Sequence, residues 1–398
     1  MRNDHDVGGE ALIPWVLAAA ILLLGASSCS NDASVGAPTS NPTTAASGEP
    51  SPVTSPTPSP ASEAKEFGIS EVGGWIAYGN DEGIWAVNPT PRGTPAERIQ
   101  LSERPGEPLA WSSDGSKLLI KRGNPSFRGP DDLVVLNSDG TETLLVHGGV
   151  YDLFSGGSFT PDGSKVIYSV TNWPPKEEWQ SAIYVVEAGG GSRRLLLASS
   201  SHTYTDHTFR TALFCPTFSP DGAQIAYFDG MGDWGNSLRV MNSDGSGVRV
   251  LIDDQEEMIS HTENLAWSPD GSRLAFDALY MGGFWIVGVD GSGLTKVDGK
   301  DVRWSPTGRQ LAFRSAGGIW VTNADGSGRR LVAPVGRNPV WSPDGSRIAY
   351  ERSPSMLEMV RWNGSDVQTI GVAESGPWTA SGSWNPSAAI GPRCTLFN

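Results

Sequence analysis

The sequence has few positive charges and no cluster of them. Its 29 Lys and Arg residues are outnumbered by 44 Asp and Glu residues, which gives a formal net charge of −15. Proteins that bind the nucleic-acid backbone need clustered Lys and Arg side chains. The composition therefore argues against nucleic-acid binding. It favours a soluble domain whose partners are neutral, cationic or metal ions.

The signatures of several enzyme classes are also missing. No G-x-S-x-G nucleophile elbow occurs, and no α/β region remains to hold one. The Gly-rich stretches are not nucleotide-binding fingerprints. The D-G-S-G segments at Asp244, Asp290 and Asp325 lack the oxygen ligands of an EF-hand loop, and turn chemistry explains them. These absences favour a binding protein over an enzyme without excluding the latter.

A repeated segment dominates the rest of the chain. Its clearest copy is LAWSPDGSRLAF at 265–276, and five further full copies begin at 109, 157, 216, 302 and 339, with a clipped copy at 382–388. Pro, Asp and Gly in S-P-D-G suit successive positions of a tight turn. Each copy therefore predicts two short strands joined by that turn.

A second strand–turn–strand element, with a Gly-rich turn, follows each full copy, as in FWIVGVDGSGLTKV at 284–297. The unit is therefore four antiparallel strands, which we name a to d. One aromatic residue marks the end of each strand a. These marker aromatics, 37 to 59 residues apart, are Trp111, Phe159, Phe218, Trp267, Trp304, Trp341 and Trp384. Four strands per unit at this spacing is typical of a β-propeller.

The two ends of the repeat region complement each other. Residues 73–102 supply strands b, c and d without a strand a, whereas Trp384 lies in a strand a without followers. Pairing the C-terminal strand with the N-terminal blade closes the ring and removes open sheet edges. We therefore predict an all-β fold, a seven-bladed propeller of four-stranded antiparallel blades spanning 67–398. An open solenoid is the alternative, but it needs capping repeats and none is visible.

The chain begins with a targeting segment, 1–29. The almost wholly apolar run 11–24 is followed by small residues and Cys29, which resembles a bacterial lipoprotein signal. That resemblance implies export and lipidation of Cys29. Ala26 and the acidic n-region depart from the pattern, so an uncleaved anchor and an ordinary cleaved signal stay open. All three interpretations place the domain outside the cytoplasm, at the outer face of the cytoplasmic membrane or in the periplasm.

Residues 30–66 are rich in Pro, Ser, Thr and Ala, and we interpret them as a disordered tether. Beyond Cys29 the chain has two cysteines, Cys215 and Cys394. In an exported protein an even pair suggests a disulfide. Two unpaired core residues are the alternative, because the sequence does not give their geometry.

Long segments fall on one predicted face. In a propeller, the a–b and c–d turns share one face, here called the turn face. The b–c loops and d–a connections share the other, here called the loop face. The insertions all belong to the loop face, which we therefore expect to bind a protein, peptide or glycan. The residues we expect to contact this partner are Tyr151, Trp173, Trp179, Tyr204, Asp206 and Trp234.

The histidines give a second hypothesis. His147, His202, His207 and His261 all fall in d–a connections ahead of three consecutive blades. Converging imidazoles can bind zinc or manganese, and we assign His202, His207 and His261 to such a site. This placement of histidines is similar to that in seven-bladed propeller lyases that degrade pectin fragments. This similarity implies a metal-dependent, carbohydrate-active enzyme as the alternative function. Loop histidines that are merely surface residues are the simpler interpretation.

The W-S-P-D-G repeat with a following N-x-D-G-S-G resembles that of TolB-like propellers over about 73–388. TolB proteins are periplasmic partners of a peptidoglycan-associated lipoprotein. This chain departs from them in its seven predicted blades, in having no separate preceding domain and in its own lipoprotein-type signal. We expect an exported, membrane-tethered propeller that binds a partner at the cell envelope. A purely structural envelope spacer is the third possibility.

Overall fold

The structure is a computed structural model. It describes residues 76–80, 82–88, 97–123, 131–149, 152–172, 180–199, 201–204, 207–230, 236–253, 262–278, 282–353 and 356–372. Side chains are described for these residues except 201–204, 207–210 and several strand-end positions. The predicted signal, the tether and the clipped repeat at 382–388 lie outside these ranges. No helix within the ranges has the length and hydropathy to cross a membrane.

The described residues form 29 strands, grouped here by sheet. Sheet 1 contains β1 Ile76–Asn80, β2 Gly83–Asn88 and β3 Glu97–Ser102. Sheet 2 contains β4 Glu107–Trp111, β5 Lys117–Arg122, β6 Asp132–Asn137 and β7 Glu142–His147. Sheet 3 contains β8 Asp152–Phe159, β9 Lys165–Asn172, β10 Gln180–Glu187 and β11 Arg194–Ala198. A separate hairpin contains β12 Ser201–Tyr204 and β13 His207–Arg210.

The second half of the chain continues the pattern. Sheet 4 contains β14 Ala212–Phe218, β15 Gln224–Gly230, β16 Asn236–Asn242 and β17 Arg249–Ile252. Sheet 5 contains β18 Thr262–Trp267, β19 Arg273–Ala278, β20 Gly283–Gly288 and β21 Thr295–Val297. Sheet 6 contains β22 Lys300–Trp304, β23 Gln310–Ser315, β24 Gly318–Asn323 and β25 Arg330–Ala333. Sheet 7 contains β26 Arg337–Trp341, β27 Arg347–Ser353, β28 Met356–Arg361 and β29 Gln368–Val372.

The sheets form a closed ring, so the predicted seven-bladed propeller is confirmed. Each sheet buries apolar side chains against the next one, and their first strands lie side by side, β22 between β18 and β26 for example. Sheet 1 packs on sheet 2 through Ile84 and Ile120. It packs on sheet 7 through Tyr78 and Met359, which closes the ring. Sheet 1 has three strands among the described residues, and its predicted fourth strand at 382–388 lies outside them.

Local chemistry in the a–b turn explains why S-P-D-G recurs. In sheet 5 the amide of Gly271 donates to the carbonyl oxygen of Ser268 at 2.8 Å. Gly271 has φ of 70°, which favours glycine. Asp270 Oδ1 accepts from the Ser268 hydroxyl at 2.6 Å and from the amide of Ser272 at 3.0 Å. These hydrogen bonds hold the pKa of Asp270 below its usual value despite partial desolvation. The Asp270 carboxylate is therefore held by hydrogen bonds within the turn itself.

Candidate ligand-binding face

Charged groups on the turn face are largely occupied by the turns themselves. The Asp244 carboxylate accepts from both the hydroxyl and the amide of Ser246, at 2.6 and 2.8 Å, and these contacts lower its pKa. Asp325 makes the same two contacts with Ser327, at 2.6 and 2.9 Å. An acceptor already satisfied in this way gains little from a ligand. The c–d turns therefore serve as scaffold.

Neighbouring blades are also fastened together on the turn face. Arg194 on β11 donates to the carbonyl oxygen of Asp244 in the next blade at 3.3 Å. Arg330 on β25 donates to the carbonyl oxygen of Trp362 at 2.6 Å, and its guanidinium lies 4.6 Å from the centre of that indole ring. A Cβ added to Gly245 would lie 2.7 Å from the carbonyl oxygen of Leu196. These contacts join neighbouring blades on the turn face.

The loop face differs because it carries an element that is not part of any blade. The hairpin of β12 and β13 lies in the connection between sheets 3 and 4. Its register pairs His202 with Phe209 and Tyr204 with His207. This ladder of four residue pairs therefore contains two of the predicted metal ligands and one predicted partner residue. The sequence predicts an insertion here but not that it forms strands.

The other predicted contact residues lie outside the described residues. These are Tyr151, Trp173, Trp179, Asp206 and Trp234 for the partner, His261 for the metal and Cys29 for lipidation. Their roles stay predictions. Among the residues that are described, no three His, Cys, Asp or Glu side chains come together as a metal site.

His147 lies at the end of β7, the outermost strand of sheet 2. Its Nδ1 is 2.6 Å from Asp132 Oδ1 on the neighbouring strand, and its side chain is 69% exposed. The imidazole is thus a cross-strand partner of Asp132 at the blade edge. The fourth loop histidine has a local structural role.

Sequence reasoning missed a set of polar residues at the loop end of the inner strands. The residue three positions before the marker aromatic has φ of 54° at Asn264, 59° at Asp301 and 54° at Asn338. Each produces a register shift in its strand a. Asn and Asp tolerate this left-handed conformation better than other residues with a side chain. The repeat thus contains a bulge that its turn motif does not reveal.

Each of these bulge residues reaches the end of strand b in its own blade. Asn264 Nδ2 donates to Asp277 Oδ2 at 2.5 Å, and Asn338 Nδ2 donates to Glu351 Oε1 at 2.7 Å. Asp301 Oδ2 lies 3.9 Å from Nη1 of Arg314. The strand b partners share one position, ten residues after the marker. The loop end of the inner strands in blades 5 to 7 is therefore polar and charged.

Asp277 is the most perturbed of these groups. It is completely buried, and burial together with the nearby charge of Asp301 raises its pKa to about 7. Hydrogen bonds from Asn264 and from the amide of Asp301, at 2.5 and 2.7 Å, act in the opposite direction. The charge of Arg303 does so too. Asp277 therefore joins sheets 5 and 6 through these hydrogen bonds.

Cys215 occupies the same bulge position in blade 4, with φ of 59°. It is completely buried and forms a disulfide bond. The alternative of an unpaired core cysteine is therefore wrong for Cys215. The other cysteines, Cys29 and Cys394, both lie outside the described residues.

Comparisons with known proteins support the fold alone. No protein-family model matches the chain, and no curated protein matches it significantly. An oligogalacturonate lyase in complex with manganese matches with 14% identity and a TM-score of 0.52, covering 70% of this chain and 82% of the other. The Vibrio parahaemolyticus oligogalacturonate lyase matches with 11% identity and a TM-score of 0.50, covering 74% and 92%. TolB from Acinetobacter baumannii has 15% identity and a TM-score of 0.48, covering 77% and 81%.

Proposed function

We propose that the protein is an exported, membrane-tethered β-propeller that binds a protein, peptide or glycan at the cell envelope through its loop face. The observation that carries this proposal is the asymmetry between the two faces. On the turn face, side chains such as Asp244 and Arg194 are used in turns and blade-to-blade contacts. The hairpin at 201–210, which is not part of a blade, belongs to the loop face. Elements added to a rigid scaffold commonly carry binding.

The N-terminal sequence supports the cellular part of this proposal. An apolar run followed by small residues and Cys29 favours export and lipidation, and 30–66 would then hold the propeller away from the membrane. The Cys29→Ser variant should move from the membrane fraction to the soluble exported fraction. Retention in the membrane would favour an uncleaved anchor, and absence of export in both forms would contradict the proposal.

Site-specific photo-crosslinking tests the binding face. A photoreactive phenylalanine analogue would replace Tyr204 in the loop-face hairpin of the full chain. The matched control replaces Trp362, an aromatic residue in a c–d turn on the turn face that is 38% exposed. We expect discrete adducts in intact cells from position 204 and none from position 362. Adducts from position 362 alone, or from neither, would contradict binding through the loop face.

The metal-dependent enzyme is the second candidate. The register that places Tyr204 opposite His207, two pairs from His202, supports it because it brings two of the assigned ligands into one short ladder. Oligogalacturonate lyases share this fold, one of them with manganese bound. Metal analysis of the purified chain, compared with a variant with alanine at His202, His207 and His261, tests it. Stoichiometric zinc or manganese that is lost in the variant would favour the enzyme, and metal-free protein would exclude this site.

A further inference from the structure

In each of the six sheets with a described strand a, equivalent positions pair strand a with strand b at the loop end of the inner strands. The strand a residue lies four positions before the marker aromatic and is directly opposite the strand b residue ten positions after it. In sheet 2 these residues are Glu107 and Lys121, whose charged groups are 3.0 Å apart. In sheet 7 they are Arg337 and Glu351, 2.7 Å apart. Both sheets thus neutralise this position with an ion pair.

Sheets 5 and 6 instead oppose like charges at this position, since Glu263 and Asp277 of sheet 5 are both acidic and both residues of sheet 6 are positively charged. Lys300 is directly opposite Arg314 in the register of β22 and β23. Like charges at directly opposed positions destabilise a sheet. Within the described part of the chain, Lys300 forms no ion pair, and the single ionic contact of Arg314 is Asp301 Oδ2 at 3.9 Å. That distance is too long for a hydrogen bond.

Asp301 is the one described carboxylate in ionic contact with the pair, and Asp277 already accepts from Asn264 and from the amide of Asp301. The exposed Asp298, two residues before Lys300, forms no ion pair among the described residues. Glu351 in the next blade is already bonded to Arg337 and to Asn338, each at 2.7 Å. Strand β26, which carries Arg337, packs beside both β22 and β23 and adds a third cation to this region.

The pair is also accessible to a ligand. The Arg314 side chain is 34% exposed, and Lys300 is partly exposed at the start of its strand. A cationic pair whose one ionic contact among the described residues is Asp301 at 3.9 Å is unexpected in a chain whose net charge is −15. An arginine fork beside a lysine ammonium is a good receptor for a carboxylate, since the guanidinium can donate two parallel hydrogen bonds.

We propose that Lys300 and Arg314 form a binding site for the carboxylate of a small anionic ligand at the loop end of the inner strands between sheets 6 and 7. The ligand supplies the negative charge that Glu107 and Glu351 supply in sheets 2 and 7. This site goes beyond partner binding through the inserted hairpin and does not require it. Its test therefore uses a soluble probe and no partner.

Citrate is the carboxylate probe, and sulfate at matched ionic strength is the inorganic probe. Calorimetric titration and thermal unfolding of the full chain should show saturable citrate binding with a rise in Tm. The Lys300→Glu variant rebuilds the ion pair of sheets 2 and 7. We expect it to have a higher Tm than the wild type without citrate, and to bind citrate at least about tenfold more weakly.

Lys165→Glu is the matched control because it makes the same charge change at the turn-face end of β9, where Lys165 is 3.5 Å from Glu187. It should retain citrate binding. Equal citrate affinity in Lys300→Glu and wild type, or no saturable binding to the wild type, would overturn the site. Tight sulfate binding without citrate binding would overturn its assignment to carboxylates. If Lys300→Glu fails to fold, Lys300→Gln should still weaken citrate binding.

Discussion

The indole Nε1 of Trp304 donates a hydrogen bond to the carbonyl oxygen of Ala266, 3.3 Å away in the preceding blade. Trp267 and Trp341 make the same bond at 3.2 Å to Thr217 and Arg303 respectively. The acceptor is in each case the residue just before the preceding marker aromatic. The repeated tryptophan thus connects the inner strands of consecutive blades.

The Trp304→Phe variant should therefore be less stable than the wild type. It loses a net hydrogen-bond contribution of about 1 kcal/mol, with a further loss from the smaller ring in a buried site. Chemical denaturation would measure the change. Trp362→Phe is the comparison because its indole is partly exposed and a phenyl ring can still face the Arg330 guanidinium, so it should lose less stability than Trp304→Phe. Equal stability of Trp304→Phe and wild type would show that the indole N–H contributes nothing.

The fourth strand predicted for sheet 1, at 382–388, leads to a second prediction. Sheet 1 packs on sheets 2 and 7 but has only β1 to β3 among the described residues. We expect the segment around Trp384 to pair with β1 and complete this blade. Truncation after residue 378 should then abolish slow hydrogen exchange in β1 and lower the stability of the whole ring below that of the full-length Cys394→Ser variant, which lacks the same cysteine. Deletion of 30–66 should change neither property. Undiminished protection of β1 in the truncated chain would contradict closure by this strand.

Asp277 predicts a pH dependence of stability with a defined sign. Its pKa is raised from 3.8 to about 7 in the folded state, so the folded state binds a proton that the unfolded state has released between these values. Stability should therefore fall as pH rises from about 4 to 7, by up to about 1.4 kcal/mol per pH unit from this residue. Above pH 7 this contribution becomes constant.

The Asp277→Asn variant isolates this effect. Asn cannot ionise but retains an oxygen that can accept from Asn264 and from the amide of Asp301. The wild type should lose unfolding free energy as the pH rises from 4 to 7, whereas the variant should not lose this contribution. The variant should therefore become more stable relative to the wild type over this range. Asp244→Asn is the control of opposite sign, because hydrogen bonds from Ser246 lower the pKa of Asp244. The stability that the ionised Asp244 contributes should be lost only as the pH falls below the usual pKa of an aspartate. A pH-independent difference for Asp277→Asn would refute the raised pKa.

The fold was predictable because its determinants are local. The contacts among Ser268, Asp270 and Gly271 lie within four residues, so the sequence displays them directly in every copy. The contacts of Asn264 and Asp301 with strand b depend on a bulge and on a register that brings together residues 13 apart. The opposition of Lys300 and Arg314 depends on the same register. The turn motifs predict which strands pair, whereas the contacts within these polar clusters can be predicted only when the strand register is known.

The disulfide of Cys215 gives the last prediction. Cys215 is buried in the inner strand of blade 4, and Cys29 is expected to carry lipid beyond the 30–66 tether, so we expect Cys394 to be the partner. Non-reducing digestion and mass spectrometry should yield a peptide linking 215 to 394. Cys394→Ser should lower the free energy of unfolding by about 2–5 kcal/mol, and reductant should have the same effect on the wild type. Cys29→Ser should leave stability unchanged. A peptide linking Cys215 to Cys29, or a free thiol at 394 in the oxidised protein, would contradict this pairing.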